Sequence, residues 1–319
     1  VRSLTEAQHA LRTIELAVHR RLAGRRLGSH GGIALGPGTD PEEVVRYRPG
    51  EDDVRRIDWN ATARSQEPHV WRTRAEHELE VWVLVDETAS MDFGTVEVEK
   101  GELAAWVTGA VGLLTDAPGN RLGVAHLGHA GVTWSPPERP RRAALRALAR
   151  PATRPPCGRE ESPAPARTGL AAALVELGRR QRRPGTRVVV TDFVEPDGAA
   201  ARPFPWETAL RRLASRHDVV VVEVLDPREL ELPDVGPVVL VDPESGHRCE
   251  VWTSLPRLRQ QYAELAHAHR AAVADAVRSS GARHLVVRTD RDWVADLVHF
   301  VRADRRPAGR RAAVPRSPR

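Results

Sequence analysis

Lysine is almost missing from this chain. Of the 48 lysines and arginines together, one is a lysine, Lys100; the arginine-heavy remainder reads as a coding bias of the source genome rather than as a basic surface. Cysteine is nearly as scarce. Two residues, Cys157 and Cys249, exclude a disulfide framework and a zinc-ligand set, and the expected compartment is a reducing cytoplasm. No run of about 18 uncharged apolar residues occurs, so no membrane span is expected. The opening segment, VRSLTEAQHALRTIELAVHRRLAG, lacks the short apolar core and small-residue cleavage site of a secretory signal. Also missing are the Walker loop G-x-x-x-x-G-K-[ST] and the nucleophile-elbow pattern G-x-S-x-G, which argues against an ATPase and against a serine hydrolase built on Ser90.

The net charge of +5 is no sign of nucleic-acid binding. The last 18 residues, Arg302 to Arg319, carry seven arginines against the single Asp304. The body without them is close to neutral, so it is not a basic nucleic-acid platform. The tail, with Pro307, Pro315 and Pro318 among its arginines, is expected to be disordered over 303–319.

What is present is a regular alternation. Leu4, Ala7, Leu11, Ile14 and Val18 recur at helical spacing and predict a helix from Leu4 to Leu22 that docks on the chain's own body. A glycine-rich loop (Gly28 to Gly38) and a charge-dense segment, Tyr47 to Arg64, follow. Leu79 to Val85 is a nearly unbroken apolar run, as a strand covered on both faces requires. Leu103, Trp106, Val107, Ala110, Val111 and Leu114 mark a helix. Strands are expected at Arg121–Leu127, Val132–Trp134, Arg187–Thr191, Val219–Leu225 and His284–Val287. Helices are expected at Arg139–Arg150, Thr168–Arg180, Trp206–Arg216, Leu255–Ser280 and Asp292–Arg302. Pro237–Val241 and His247–Trp252, around the turn at Asp242 to Gly246, suggest a hairpin. This rhythm predicts a Rossmann-like α/β fold, a mostly parallel sheet with helices on both faces. The expected organisation is an N-terminal helix and charged segment over 1–78 packing on the core, an α/β domain over 79–302 with an insert at about 226–254, and the tail.

In such a sheet ligands bind beyond the carboxyl ends of the strands. The run Leu79–Val85 leads into Asp86-Glu87-Thr88-Ala89-Ser90, a D-x-T-x-S turn; Arg187–Thr191 leads into Asp192; Thr168 stands at a helix start. Alternate residues of a tight turn can face one spot, so Asp86, Thr88 and Ser90 can surround one ion. Two carboxylates and three hydroxyls, with no histidine or cysteine, suit a hard cation, Mg²⁺ before Mn²⁺ or Ca²⁺.

The D-x-T-x-S turn with a distal threonine and a distal aspartate resembles the metal-ion-dependent adhesion site of von Willebrand factor A domains. Three longer blocks, YRPGEDDVRRIDWNATAR, DETASMDFG and LDPRELELPDVGPVVLVDPESGHRCEVW, resemble the bacterial family called domain of unknown function 58, in the same order and separation. The resemblance covers nearly the whole chain to about Arg302. It implies a von Willebrand A-like fold with additions, and pairing with MoxR-type AAA+ ATPases in the assembly or activation of client proteins. It carries the five adhesion-site positions onto Asp86, Thr88, Ser90, Thr168 and Asp192, with the hydroxyls of Thr88 and Ser90 binding metal directly. Thr88 stands where serine is usual; its methyl stiffens χ1.

Blander readings stand beside these. Asp86 is also what a turn-capping carboxylate looks like. Tyr47 to Arg64 reads as a self-paired surface segment anchored over the sheet by Ile57 and Trp59, with a docking surface for the ATPase as its functional rival. Trp82, Trp106 and Trp293 are expected in packing, and the scattered histidines are not expected to bind zinc. The leading expectation is a non-enzymatic interaction module. Its rivals are a phosphatase-like hydrolase with Asp86 as nucleophile, for which Thr88 stands where a second carboxylate is needed, and a scaffold whose metal site has decayed.

Overall fold

The computed structural model describes residues 4–23, 43–47, 54, 57–65, 67–72, 79–96, 98–128, 130–150, 169–181, 184–195, 201–241 and 247–304. Thr168, Cys157, the glycine-rich loop and the arginine tail from 305 onward lie outside the described residues.

Six strands form the main sheet: β3 (Glu80–Asp86), β4 (Arg121–Gly128), β5 (Gly131–Glu138), β6 (Thr186–Thr191), β7 (Asp218–Leu225) and β10 (Arg283–Arg288). Their spatial order is β10-β7-β6-β3-β4-β5. All neighbours run parallel except β5, which returns antiparallel to β4. This is the mostly parallel α/β architecture expected from the sequence.

The unbroken apolar runs follow from burial on both faces. Val81, Val83 and Val85 of β3, Val188 and Val190 of β6, and Val220, Val222 and Val224 of β7 enter one core. Helices α1 (Leu4–Ala23), α3 (Lys100–Leu114), α4 (Pro140–Ala149) and α8 (Trp293–Asp304) cover that face. The intervening Trp82, Leu84, Val189, Val219 and Val221 point the other way. There α5 (Leu170–Arg180), α6 (Glu207–Ala214) and α7 (Pro256–Ser279) cover them. A period of two along each strand thus feeds two cores at once. The predicted stripe of α1 is seated as expected: Ala7, Leu11, Ile14 and Val18 are buried in the first core.

Two segments differ from the reading of the sequence, while the hairpin forms as expected. The strand expected at Val132–Trp134 runs for eight residues and includes Pro136 and Pro137. An edge strand tolerates proline because one side of its backbone has no ladder to complete. Strands flank the charged segment: β1 (Glu43–Arg46) pairs antiparallel with β2 (His69–Arg72), and α2 (Trp59–Ser65) lies between them in the chain, while residues 48–53 and 55–56 lie outside the described residues. Asp58 starts α2 by accepting the backbone N–H groups of Asn60 and Ala61. Trp59, expected as an anchor, is 73% exposed. The inserted hairpin, β8 (Pro237–Val241) with β9 (Arg248–Trp252), forms a separate two-stranded sheet.

Candidate metal centre

Counting along the chain, β4 and β5 lie on one side of β3, while β6, β7 and β10 lie on the other. The sheet therefore changes direction between β3 and β6, and loops leaving this pair diverge and open a crevice at their carboxyl ends. Asp86 ends β3, and Asp192 follows the last residue of β6.

The turn after β3 is shaped by its own side chains. Asp86 Oδ1 accepts the backbone N–H of Thr88 at 3.0 Å and the Thr88 hydroxyl at 2.7 Å. This curls the chain into a 3-10 turn, Ala89–Asp92, whose Met91 N–H returns to the Thr88 carbonyl at 3.0 Å. Ser90 Oγ then lies 3.2 Å from Thr88 Oγ1. From the neighbouring strand, the Thr191 hydroxyl donates to Asp86 Oδ2 at 2.7 Å, and Thr191 Oγ1 accepts the Phe193 N–H at 3.1 Å. Phe193 adopts φ 60°, an uncommon conformation for a bulky residue, immediately after Asp192. Ser90 also hydrogen-bonds the Asp192 side chain. Asp86, Thr88, Ser90 and Asp192 thus form one continuous chain of oxygen atoms.

The two carboxylates differ in charge balance. Burial, and then the nearby Asp192, push the Asp86 carboxyl up to about 7, against the pull of hydrogen bonds from Thr191 and Thr88. Burial alone would raise Asp192 too, but the ammonium of Lys100 overrides it and holds that carboxyl below the usual range. Lys100, the first residue of α3, is fully buried. Its Nζ donates to Asp192 Oδ2 at 2.7 Å and to Glu229 Oε1 at 2.6 Å. Burial works to lower the lysine, yet Asp192 and Glu229 together raise it, so it stays charged.

Around this centre the segments are tied together. Glu229 closes a capping box with Asp226 in the turn after β7. Asp226 accepts the Thr95 N–H and hydroxyl at 2.9 and 2.6 Å and the Thr289 hydroxyl at 2.9 Å. On the other face, Arg270 of α7 donates to the Asp192 carbonyl at 2.8 Å and to buried Glu223 of β7 at 3.2 Å. Glu87 leaves the site sideways to His126 Nδ1 at 2.6 Å and Arg150 Nε at 3.2 Å.

Four of the five residues predicted from the sequence are therefore brought together. The fifth, Thr168, lies outside the described residues; its neighbour Gly169 caps α5 beside Glu195, whose Oε2 would stand 3.0 Å from a Cβ placed on that glycine. No group of three or more His, Cys, Asp or Glu that could hold a metal occurs among the described residues. An ion here would depend on hydroxyls as much as on carboxylates. The residues fit a hard divalent cation in donor type: all are oxygens, and Asp86 is a buried carboxylate without a cationic partner among its hydrogen bonds. Sequence reasoning missed Glu229, Thr191 and Arg270, and it singled out Lys100 without placing it beside Asp192. The available signal was compositional, one lysine where arginine is otherwise used throughout.

The model of the family described as "Protein of unknown function DUF58" matches residues 43–272. The chain belongs to this family. This DUF58 chain is 46% identical over 299 residues to the uncharacterized protein Rv1480 of Mycobacterium tuberculosis, covering 94% of the chain and 90% of the relative. Among solved structures it is similar to BatB from Bacteroides thetaiotaomicron, at 16% identity and a TM-score of 0.41, over 70% of this chain and 98% of that one. It is also similar to a von Willebrand factor type A protein from Catenulispora acidiphila, at 14% identity and a TM-score of 0.36, over 72% of this chain and 42% of that one. No helix among the described residues is long and apolar enough to cross a membrane.

Proposed function

We propose that this DUF58 chain is a non-enzymatic protein-interaction module whose working site is a divalent-cation centre formed by Asp86, Thr88, Ser90, Thr168 and Asp192. Mg²⁺ is the favoured ion, and a MoxR-type AAA+ ATPase and a client protein are the proposed partners. The observation that carries the reading is the hydrogen-bonded chain from Asp86 through Thr88 and Ser90 to Asp192, set at the point where the sheet changes direction. A divalent cation there supplies a positive point with open coordination positions for a partner's carboxylate. The protein's own part is orientation. Thr191 and the Thr88 amide hold the Asp86 carboxylate, and Val194 N–H holds Asp192 Oδ1 at 3.0 Å. Preset donors lower the ordering cost of binding.

Phosphoryl transfer from Asp86 is the weaker reading. Thr88 stands where such chemistry needs a second carboxylate, and Lys100, the one lysine of the chain and so its one candidate for the phosphate-binding lysine, is committed to Asp192 and Glu229. A scaffold without metal has one observation in its favour: Lys100 already neutralises Asp192.

Calorimetric titration of the protein with Mg²⁺ and Mn²⁺, beside an Asp86→Ala variant checked by circular dichroism, separates these readings. The proposal expects saturable binding at one site in the parent and none in the folded variant. A parent that binds neither ion leaves the scaffold reading in place.

A further inference from the structure

Lys100 is the sole lysine of the chain and one of its largest fully buried side chains. Its ammonium is held between two carboxylates that are themselves fixed. Glu229 accepts the lysine at Oε1 and the Asp226 N–H at Oε2, the latter at 2.9 Å. Asp192 accepts the lysine at Oδ2 and the Val194 N–H at Oδ1. An ammonium suits this seat because it is a compact charge with three donors, whereas the guanidinium of arginine is a larger planar fork. The chain thus places a monovalent cation against one of the two carboxylates of the proposed metal centre.

We propose that Lys100 is a built-in competitor of the metal: a divalent cation at Asp86 and Asp192 must displace the ammonium from Asp192, and Glu229 is the seat that receives it. The inference rests on the proposed metal reading. Without metal, Lys100 keeps Asp192 from standing as an uncompensated buried charge, which would be strongly destabilising. With metal, two cations on one carboxylate repel at short range in a poorly screened interior. Glu229 lets the lysine stay buried and paired while it gives up Asp192. Lys100 is therefore a positioning residue that sets how strongly the centre holds its ion. Monovalent ions gain nothing by replacing one positive charge with another.

The test is Mn²⁺ titration by calorimetry of three folded proteins: the parent, Glu229→Gln, and the double variant Lys100→Met with Glu229→Gln. The double variant removes one charge of each sign, leaving the net charge of the region unchanged while freeing Asp192 Oδ2. It is expected to bind Mn²⁺ at least about ten-fold tighter than the parent, as loss of a charge-assisted competitor implies. Glu229→Gln alone leaves the ammonium with Asp192 as its one anionic partner and is expected to bind several-fold more weakly. Where the double variant does not fold, the single variant decides the matter. Parental affinity in the variants, with the parent binding metal, overturns this proposal alone. Binding by the double variant but not by the parent supports it while overturning metal use by the native chain. No binding by any of the three overturns both.

Discussion

Asp86 carries a charge that nothing in the described structure balances directly, and this has a measurable consequence in the absence of metal. Its folded value of about 7 lies above the ordinary 3.8. The folded protein therefore holds a proton that the unfolded chain releases. Stability from this group is fully present below about pH 4 and is lost as pH rises through 7. Asp86→Asn keeps an acceptor for the Thr88 N–H but removes the buried charge. In chelator, the variant is expected to overtake the parent in thermal stability as pH rises from 5 to 8, by up to a few kcal/mol. Saturating Mg²⁺ is expected to erase that advantage by stabilising the parent alone. The readout is the difference between the two proteins. His217, which burial and the nearby Arg187 and Arg216 hold down to about 4, works in the opposite sense in both: its contribution is present above about pH 6.5 and lost as pH falls toward 4. A constant difference across pH 5 to 8 would contradict the assignment of an uncompensated charge to Asp86. At this scale the sequence was legible where the geometry is local. Asp86, Thr88 and Ser90 sit within five residues, and a D-x-T-x-S turn has few ways to fold. Lys100 was not legible as part of the centre, because its partners Asp192 and Glu229 lie 92 and 129 residues away.

Among the elements, α7 is tied to the loop that carries Asp192 by Arg270. Arg270 spans the Asp192 carbonyl and Glu223, and His284 of β10 lies 2.8 Å from the other Glu223 oxygen. One guanidinium therefore links a helix, a central strand and the loop that aims Asp192. Arg270→Met keeps much of the stem but strips buried Glu223 of its charged partner. A loss of roughly 3 kcal/mol is expected, the scale found when one member of a buried ion pair is removed. Chemical denaturation measures that loss, and hydrogen exchange should rise in the Phe193–Glu195 loop. A loss below about 1 kcal/mol would mean that the pair behaves as an exposed one. The elements themselves were legible in proportion to their burial. The runs of β3, β6 and β7 are apolar at successive positions because both faces are covered, and length and flanking polar residues set them off. Trp59 was misjudged for a related reason: a large apolar residue in a charged segment is read as an anchor, but α2 turns it outward beside a two-stranded sheet. β1 and β2, four residues each, carry too little pattern to be read without their partner.

The family match and the folding unit have different boundaries. The match spans 43–272, but the first core draws on residues outside it at both ends. Ala7, Leu11, Ile14 and Val18 come from α1, Leu285 and Val287 from β10, and Trp293, Val294, Leu297, Val298 and Val301 from α8. β10 also completes the edge of the sheet beside β7, pairing Arg283 through Arg288 with Val220 through Leu225. A cut after residue 272 would further remove Val273, Ala276 and Val277, the buried stripe of α7 that seals the second core. A fragment of residues 43–272 would thus expose the face of β7 and the undersides of α3 and α4 to water, and would leave β7 as a long apolar edge open to pairing with other chains. Each fully buried valine or leucine left without cover forfeits about 1.5–3 kcal/mol, against a total stability of about 5–15 kcal/mol for a typical domain. The fragment is expected to aggregate or to melt without a cooperative transition, whereas residues 1–304 should melt as one unit. Hydrogen exchange of the longer protein should be slowest in β3, β6 and β7 and fastest in the β8–β9 hairpin, where Val239, Val241 and Trp252 are exposed. A fragment of 43–272 that melted cooperatively at the temperature of the longer chain would show that α1, β10 and α8 are additions to a core that stands without them. The burial of their side chains among those of β3, β6 and β7 argues the reverse.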